Sequence, residues 1–271
     1  MVSPEVEYTL KAMGLSNRTI RQYLNVVKLV ESAYGKPIRE VTLDEIFRFL
    51  AGLTPQSRFA YAVALRSVLK SIGREDYARV KIPRAPYRRY VVIEEEKVKE
   101  ICLDLAGSDL KLATAIALTY ELALRVSELA NMKLKDIDMD GWVATVERIK
   151  VRLVQRLPII SDWVRTLVFR YVGLHPRHTD YLIYSRKKPY KYSVSTLSWL
   201  ITKTLRDYGL EAKAHDLRHS RATNLLRMGL DLRALQIFLG HSSIAMTERY
   251  THLTEVDLKR MIEGLYARQR K

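Results

Sequence analysis

Thiol chemistry is almost absent from the 271-residue chain: its one cysteine, Cys102, cannot form an intramolecular disulfide, and there is no cysteine cluster to hold a metal. Long apolar runs are missing too. The longest, residues 112–124, is interrupted by Tyr120 and Glu121 and is too short to span a bilayer, so no transmembrane helix is expected. Residues 1–14 have neither the basic start nor the apolar stretch of a secretory signal, and the expectation is an intracellular, cytoplasmic protein. Acidic residues are in deficit, with 30 Asp and Glu against 46 Lys and Arg, a formal charge of +16. A surface this basic favours a polyanionic partner. Residues 1–90 hold 16 basic and 8 acidic side chains, so half of the excess charge sits on the first third of the chain. What is plentiful is apolar residues, at 48%, beside 28% charged ones. That composition excludes disorder and supplies cores for about two domains.

The first part of the chain has the spacing of helices joined by short turns. Ser16 opens a stretch in which Ile20, Tyr23, Leu24, Val27 and Val30 recur at helical intervals, and Gly35 and Pro37 stop it. Thr42 and Glu45 stand as a capping box ahead of Ile46, Phe49 and Leu50. Beyond Thr54 and Pro55, Phe59, Val63, Leu65, Val68 and Leu69 mark a further helix that Gly73 ends. The expectation is a bundle of about four helices over residues 1–82. Residues 83–93, which contain P-R-A-P-Y-R-R-Y, form a stiff basic linker. Over residues 94–271 the pattern predicts a second domain, with helices at 94–105, 110–124, 162–171, 194–208, 216–228, 232–239 and 256–266. Trp142, Val143, Thr145 and Val146, then Leu153, Val154 and Leu157 before Pro158, predict a short antiparallel hairpin or meander. The fold class is therefore mainly α with a small β-sheet (α+β).

Two metal-like patterns need weighing. Asp136, Asp138, Asp140, Gly141 and Glu147 match an EF-hand loop position by position. The following residues are basic and β-branched and end at Pro158, and there is no second loop, so an aspartate-rich turn entering a strand is expected instead. His215 and His219 stand four apart on one helical face, with His241 imaginable as a third zinc ligand. No cysteine cluster or well-placed carboxylate completes the set. No metal and no cofactor are expected.

The informative residues are spread over more than a hundred positions: L-R-V-S-E-L with Arg125, H-D-L-R-H with His215 and Arg218, L-G-H-S-S with His241, and Y-T-H with Tyr250. In this order and spacing they resemble the tyrosine recombinase (phage integrase) family, whose signature is Arg, Lys, His-x-x-Arg, His or Trp, and Tyr. The short chain and the segment L-G-H-S-S-I-A-M-T-E-R-Y-T-H-L are most similar to its Xer-type members. The resemblance covers residues 94–266, while the N-terminal bundle matches the family's SAM-like core-binding domain in size, helicity and charge. Lys150, eight residues before Pro158, best matches the family's hairpin lysine, with Arg148 and Arg152 sharing its strand face as further phosphate-contacting bases. Two departures stand out: Ala123 occupies a position where the family often has glycine, and the hairpin lacks the usual Gly-Lys-Gly turn.

The resemblance implies a two-domain enzyme that cuts and rejoins double-stranded DNA at a specific site, through a 3′-phosphotyrosyl intermediate and a Holliday junction. Each residue has a physical task. A phenol with a pKa of about 10 is a poor nucleophile at neutral pH and must be placed among bases and cations. Tyr250 is that nucleophile, Arg125 and Arg218 clamp the charged phosphate oxygens, His215 handles the tyrosyl proton, and His241 hydrogen-bonds a phosphate oxygen. Lys150 protonates the leaving 5′ oxygen, an amine losing its proton far more readily than a guanidinium. The implied partners are a recombination site and further copies of the chain, in a tetramer joined through the C-terminal helix at the nucleoid. Resolution of chromosome or plasmid dimers is the implied role. Integration of a mobile element, a type IB-like topoisomerase and a non-catalytic DNA-binding protein remain alternatives.

Overall fold

The computed structural model describes residues 4–84, 91–148, 153–188, 190–240, 259, 262–264 and 266. The chain divides into two compact units, Met1–Arg89 and Tyr90–Lys271. Most of the basic linker segment, at residues 85–90, lies outside the described residues.

The first unit contains α1 (Pro4–Ala12), α2 (Asn17–Tyr34), α3 (Leu43–Ala51) and α4 (Pro55–Ser71), then a 3-10 segment, Glu75–Arg79. Local chemistry sets the helix ends. The Ser16 hydroxyl accepts the Thr19 N–H at 3.2 Å, and Gly35, at φ +66°, closes α2 by donating to the Glu31 carbonyl at 2.8 Å. At α3 the capping box is complete: the Thr42 N–H donates to Glu45 at 2.7 Å and the Glu45 N–H to the Thr42 hydroxyl at 3.3 Å. Lys36, 2.9 Å from the same carboxylate, and the Thr42 N–H hold the pKa of Glu45 down to about 2. The helices bury Ile20 and Val27 of α2, Ile46 of α3, and Leu65 and Val68 of α4 against one another.

The second unit is built around α6 (Leu110–Glu121), which follows α5 (Glu95–Leu105). Every residue of α6 from Ala113 to Glu121 is buried, because α5, α8 (Asp162–Gly173) and α10 (Ala214–Arg227) cover it. Fully burying a side chain such as Ile116 or Leu118 contributes about 1.5–3 kcal/mol. One wall carries a three-stranded antiparallel sheet in the order β1 (Ile137–Asp138), β2 (Val143–Arg148) and β3 (Leu153–Pro158), with Val146 opposite Gln155 and Arg148 opposite Leu153. The short helix α7 (Val126–Leu129), α9 (Val194–Asp207) and α11 (Leu232–Leu239) complete the unit. None of the described helices is long and apolar enough to cross a membrane.

Among the described residues, the charged side chains buried in this core are paired. Arg221 of α10, 1% exposed, meets Glu121 and Glu95 at 2.9 Å each. Glu121 also accepts the N–H groups of Ile160 and Ser161 at 2.8 and 2.9 Å, tying the end of α6 to the start of α8. Near the C-terminus, Ile262 is buried in the same core, and the Tyr266 hydroxyl lies 3.4 Å from Glu95 and 3.5 Å from Ser161. These parts of the last segment thus pack on their own unit, the alternative to docking on a neighbouring copy.

The EF-hand-like pattern is a hairpin turn. Asp138 spends one carboxylate oxygen on the N–H groups of Asp140 and Gly141, at 3.1 and 3.0 Å, and Glu147 lies within β2.

Candidate active site

The helix expected over residues 110–124 stops at Glu121. Ala123 turns the chain with a left-handed φ of +46°, and Arg125 caps α7. Three residues on, Glu128 reaches back with both oxygens: Oε2 accepts the Arg125 N–H at 2.8 Å and Oε1 accepts its guanidinium at 2.6 Å. Arg125 is thus held at both ends, with its side chain still 21% exposed.

His215 and Arg218 occupy successive turns at the start of α10, at the i, i+3 spacing that places side chains on one face. Asp216 fixes that start by accepting the Lys213 N–H at 2.8 Å. Arg218 is buried and donates to the carbonyls of Ala123 at 2.5 Å and Leu239 at 2.6 Å. Its Nη1 also lies 3.8 Å from Glu128 Oε2. Arg148, at the end of β2, donates to that same Glu128 oxygen at 2.5 Å. Three guanidiniums therefore surround one carboxylate, leaving an excess of two positive charges for an incoming anion.

That crowding shapes the titration of the site. Burial, then the charges of Arg125 and Arg148, push the pKa of Arg218 down to about 9, so it remains protonated at neutral pH. His215 is open to solvent on one side, yet partial burial, the His219 ring 4.6 Å away and the charges of Arg218 and Arg125 push its pKa down to about 4. A neutral imidazole beside two guanidiniums can accept a proton at neutral pH.

Of the residues singled out from sequence, Arg125, His215 and Arg218 come together. Lys150, Arg152, His241 and Tyr250 lie outside the described residues. Arg148 needs a correction: it is not an outward-facing phosphate base on the hairpin. Its side chain is fully buried and its guanidinium is spent on Glu128, Gln155 and the Phe238 carbonyl. Glu128 was missed by the sequence reasoning, although the R-V-S-E spacing, with a carboxylate three residues after a helix-capping residue, carried its signal. Among the described residues no three His, Cys, Asp or Glu side chains gather as metal ligands.

Comparison with known proteins finds relatives over most of the chain. Residues 92–256 match the model of the phage integrase family. The chain is 30% identical over 263 residues to the tyrosine recombinase XerA of Pyrococcus furiosus, covering 94% of this chain and 90% of the relative. The crystal structure of a XerA recombinase aligns over 98% of this chain and 97% of its own, at 25% identity and a TM-score of 0.51. A lambda integrase tetramer bound to a Holliday junction shares the fold, at 22% identity and a TM-score of 0.70, over 94% of this chain and 76% of that one.

Proposed function

The chain belongs to the phage integrase family and is a site-specific tyrosine recombinase, and on that premise we propose that Tyr250 cuts a specific duplex through a 3′-phosphotyrosyl intermediate. The observation that carries this is the cluster of Arg125, Arg218 and Arg148 around the Glu128 carboxylate, with cationic charge in excess and His215 one turn before Arg218 on the same helix. The Tyr250 oxygen attacks the scissile phosphorus and gives its proton to His215. The bond to the 5′ oxygen breaks, and Lys150 supplies the proton that oxygen needs. Arg125 and Arg218 hold the non-bridging oxygens as charge gathers on them, with a hydrogen bond from His241. The phosphotyrosyl bond keeps the energy of the phosphodiester, so rejoining needs no high-energy cofactor: the 5′ hydroxyl of the exchanged strand attacks phosphorus and the tyrosyl oxygen leaves. Arg148 is spent internally, which supports Lys150 as the acid.

Two rounds of this exchange pass through a Holliday junction, and a tetramer of the chain would hold two sites. We propose that the C-terminal segment joins the copies through residues other than Ile262 and Tyr266, which pack on their own unit. We propose resolution of chromosome or plasmid dimers, at the nucleoid in the cytoplasm, as the role that the Xer-type resemblance implies. The first unit is proposed to grip the duplex with its excess of basic residues.

The test is to incubate the full chain with a library of nicked duplexes of randomised sequence and to look on a denaturing gel for protein joined to DNA. The wild type should give adducts, and Tyr250→Phe should bind the recovered duplex as well but give none. Equal adduct yield in the variant would move the nucleophile elsewhere, and no adduct with the wild type would sink the cleavage reading.

A further inference from the structure

Among the described residues, Arg148 and Arg221 are the largest side chains that are fully buried. A buried ion pair is a poor source of stability, because desolvating both charges offsets their attraction. The placement of this one has another consequence. Arg148 Nη1 holds Glu128 Oε2 at 2.5 Å, Nη2 holds the Phe238 carbonyl at 2.8 Å, and Nε holds Gln155 at 3.0 Å. Gln155 in turn donates to the Ile237 carbonyl at 2.6 Å. Three successive carbonyls at the open C-terminal end of α11, those of Ile237, Phe238 and Leu239, are thus taken by Gln155, Arg148 and Arg218. Cations suit that end of a helix. Immediately beyond, Gly240 has φ +58°, and a β-carbon there would lie only 3.0 Å from the Arg148 side chain.

One guanidinium therefore joins α7, the β2–β3 stem and the end of α11. The chain runs on from the two latter elements to Lys150, two residues after Arg148, and to His241, next after Gly240. Arg148 also occupies the Glu128 oxygen that faces Arg218. Without it, that oxygen would draw Arg218, 3.8 Å away, off the Ala123 and Leu239 carbonyls and neutralise half of the phosphate clamp.

We infer that Arg148 is a positioning residue of the cleavage site, which sets Arg125 and Arg218 relative to one another by bridging Glu128 and the end of α11. Its effect on cleavage rests on the recombinase reading, whereas its effect on the clamp does not.

Two variants of the full chain test it, Arg148→Met and Arg148→Lys, each first checked for folding by thermal unfolding. In the first measurement inorganic phosphate is titrated against the free protein, and the NMR signals of the His215 ring report its binding. In the second, single-turnover cleavage of a nicked duplex recovered with the wild type is measured at saturating protein, with duplex affinity measured separately. Phosphate binding should weaken in both variants, and cleavage should slow by about 10²-fold, the cost of misplacing reacting groups by about 1 Å. Duplex affinity should hold. Lysine should not rescue, because one ammonium cannot span three acceptors in a fixed fork. Wild-type phosphate binding or cleavage in the methionine variant, or full rescue by lysine, would overturn the inference. If the methionine variant does not fold, the lysine variant decides by the same criteria. If the wild type cleaves no duplex, the recombinase reading fails, and the phosphate titration still decides the role of Arg148.

Discussion

Ala123 is a small residue in a costly conformation. Its φ of +46° lies in the left-handed region, where a β-carbon costs about 1–2 kcal/mol. The chain tolerates this because the turn does two jobs: it ends α6 so that Arg125 can cap α7, and it presents the carbonyl that receives Arg218. The resemblance to the family implies glycine as the usual occupant of this position. Ala123→Gly should therefore stabilise the protein by about 0.5–1 kcal/mol, the strain relieved exceeding the extra chain entropy of glycine. Thermal unfolding of the two proteins would show it as a midpoint about 2 °C higher. A lower midpoint would mean that packing of the buried methyl group outweighs the strain.

At the scale of elements, the segment joining β2 to β3 carries the residue proposed as the leaving-group acid. If Lys150 protonates the leaving oxygen, Lys150→Ala should lose cleavage on an ordinary duplex and regain it on one with sulfur at the 5′ bridging position, since a thiolate leaves without a proton. Arg125→Ala should show no such rescue, because phosphate charge is untouched by the sulfur. Single-turnover adduct formation measures both, and rescue of Arg152→Ala in place of Lys150→Ala would transfer the acid to that residue. The helices, by contrast, were legible from sequence because their signals are local: Ser16, Thr42 and Gly35 announce the ends of α2 and α3, and the caps form as their spacing indicates. Arg125, His215 and Arg218 were legible from their order along the chain. Arg148 was not, since a basic residue alternating with others on a strand has the pattern of a solvated face. Only the distant Glu128 and the end of α11, 20 and 90 residues away in the chain, turn it inward. Ala123 was legible as a departure from the family, but its left-handed turn was not, because alanine carries no signal for positive φ.

For the whole molecule, the governing quantity is charge. The excess of +16 is split evenly by count, but the first unit concentrates its half on about half as many residues as the second. Each unit has its own core, so residues 91–271 can be studied apart from the first unit. Each phosphate neutralised by a basic side chain releases counterions, and log K falls with log salt by about 0.9 per phosphate contacted. If the helices α2 to α4 carry a large share of those contacts, removing the first unit should flatten the salt dependence by several such increments, well beyond a general loss of affinity. Titrating the same duplex with the full chain and with residues 91–271 across a range of salt gives both slopes. Two parallel lines offset in affinity would mean that the first unit adds contacts of another kind, to bases or to a neighbouring copy, and that its basic surface does not grip the phosphate backbone.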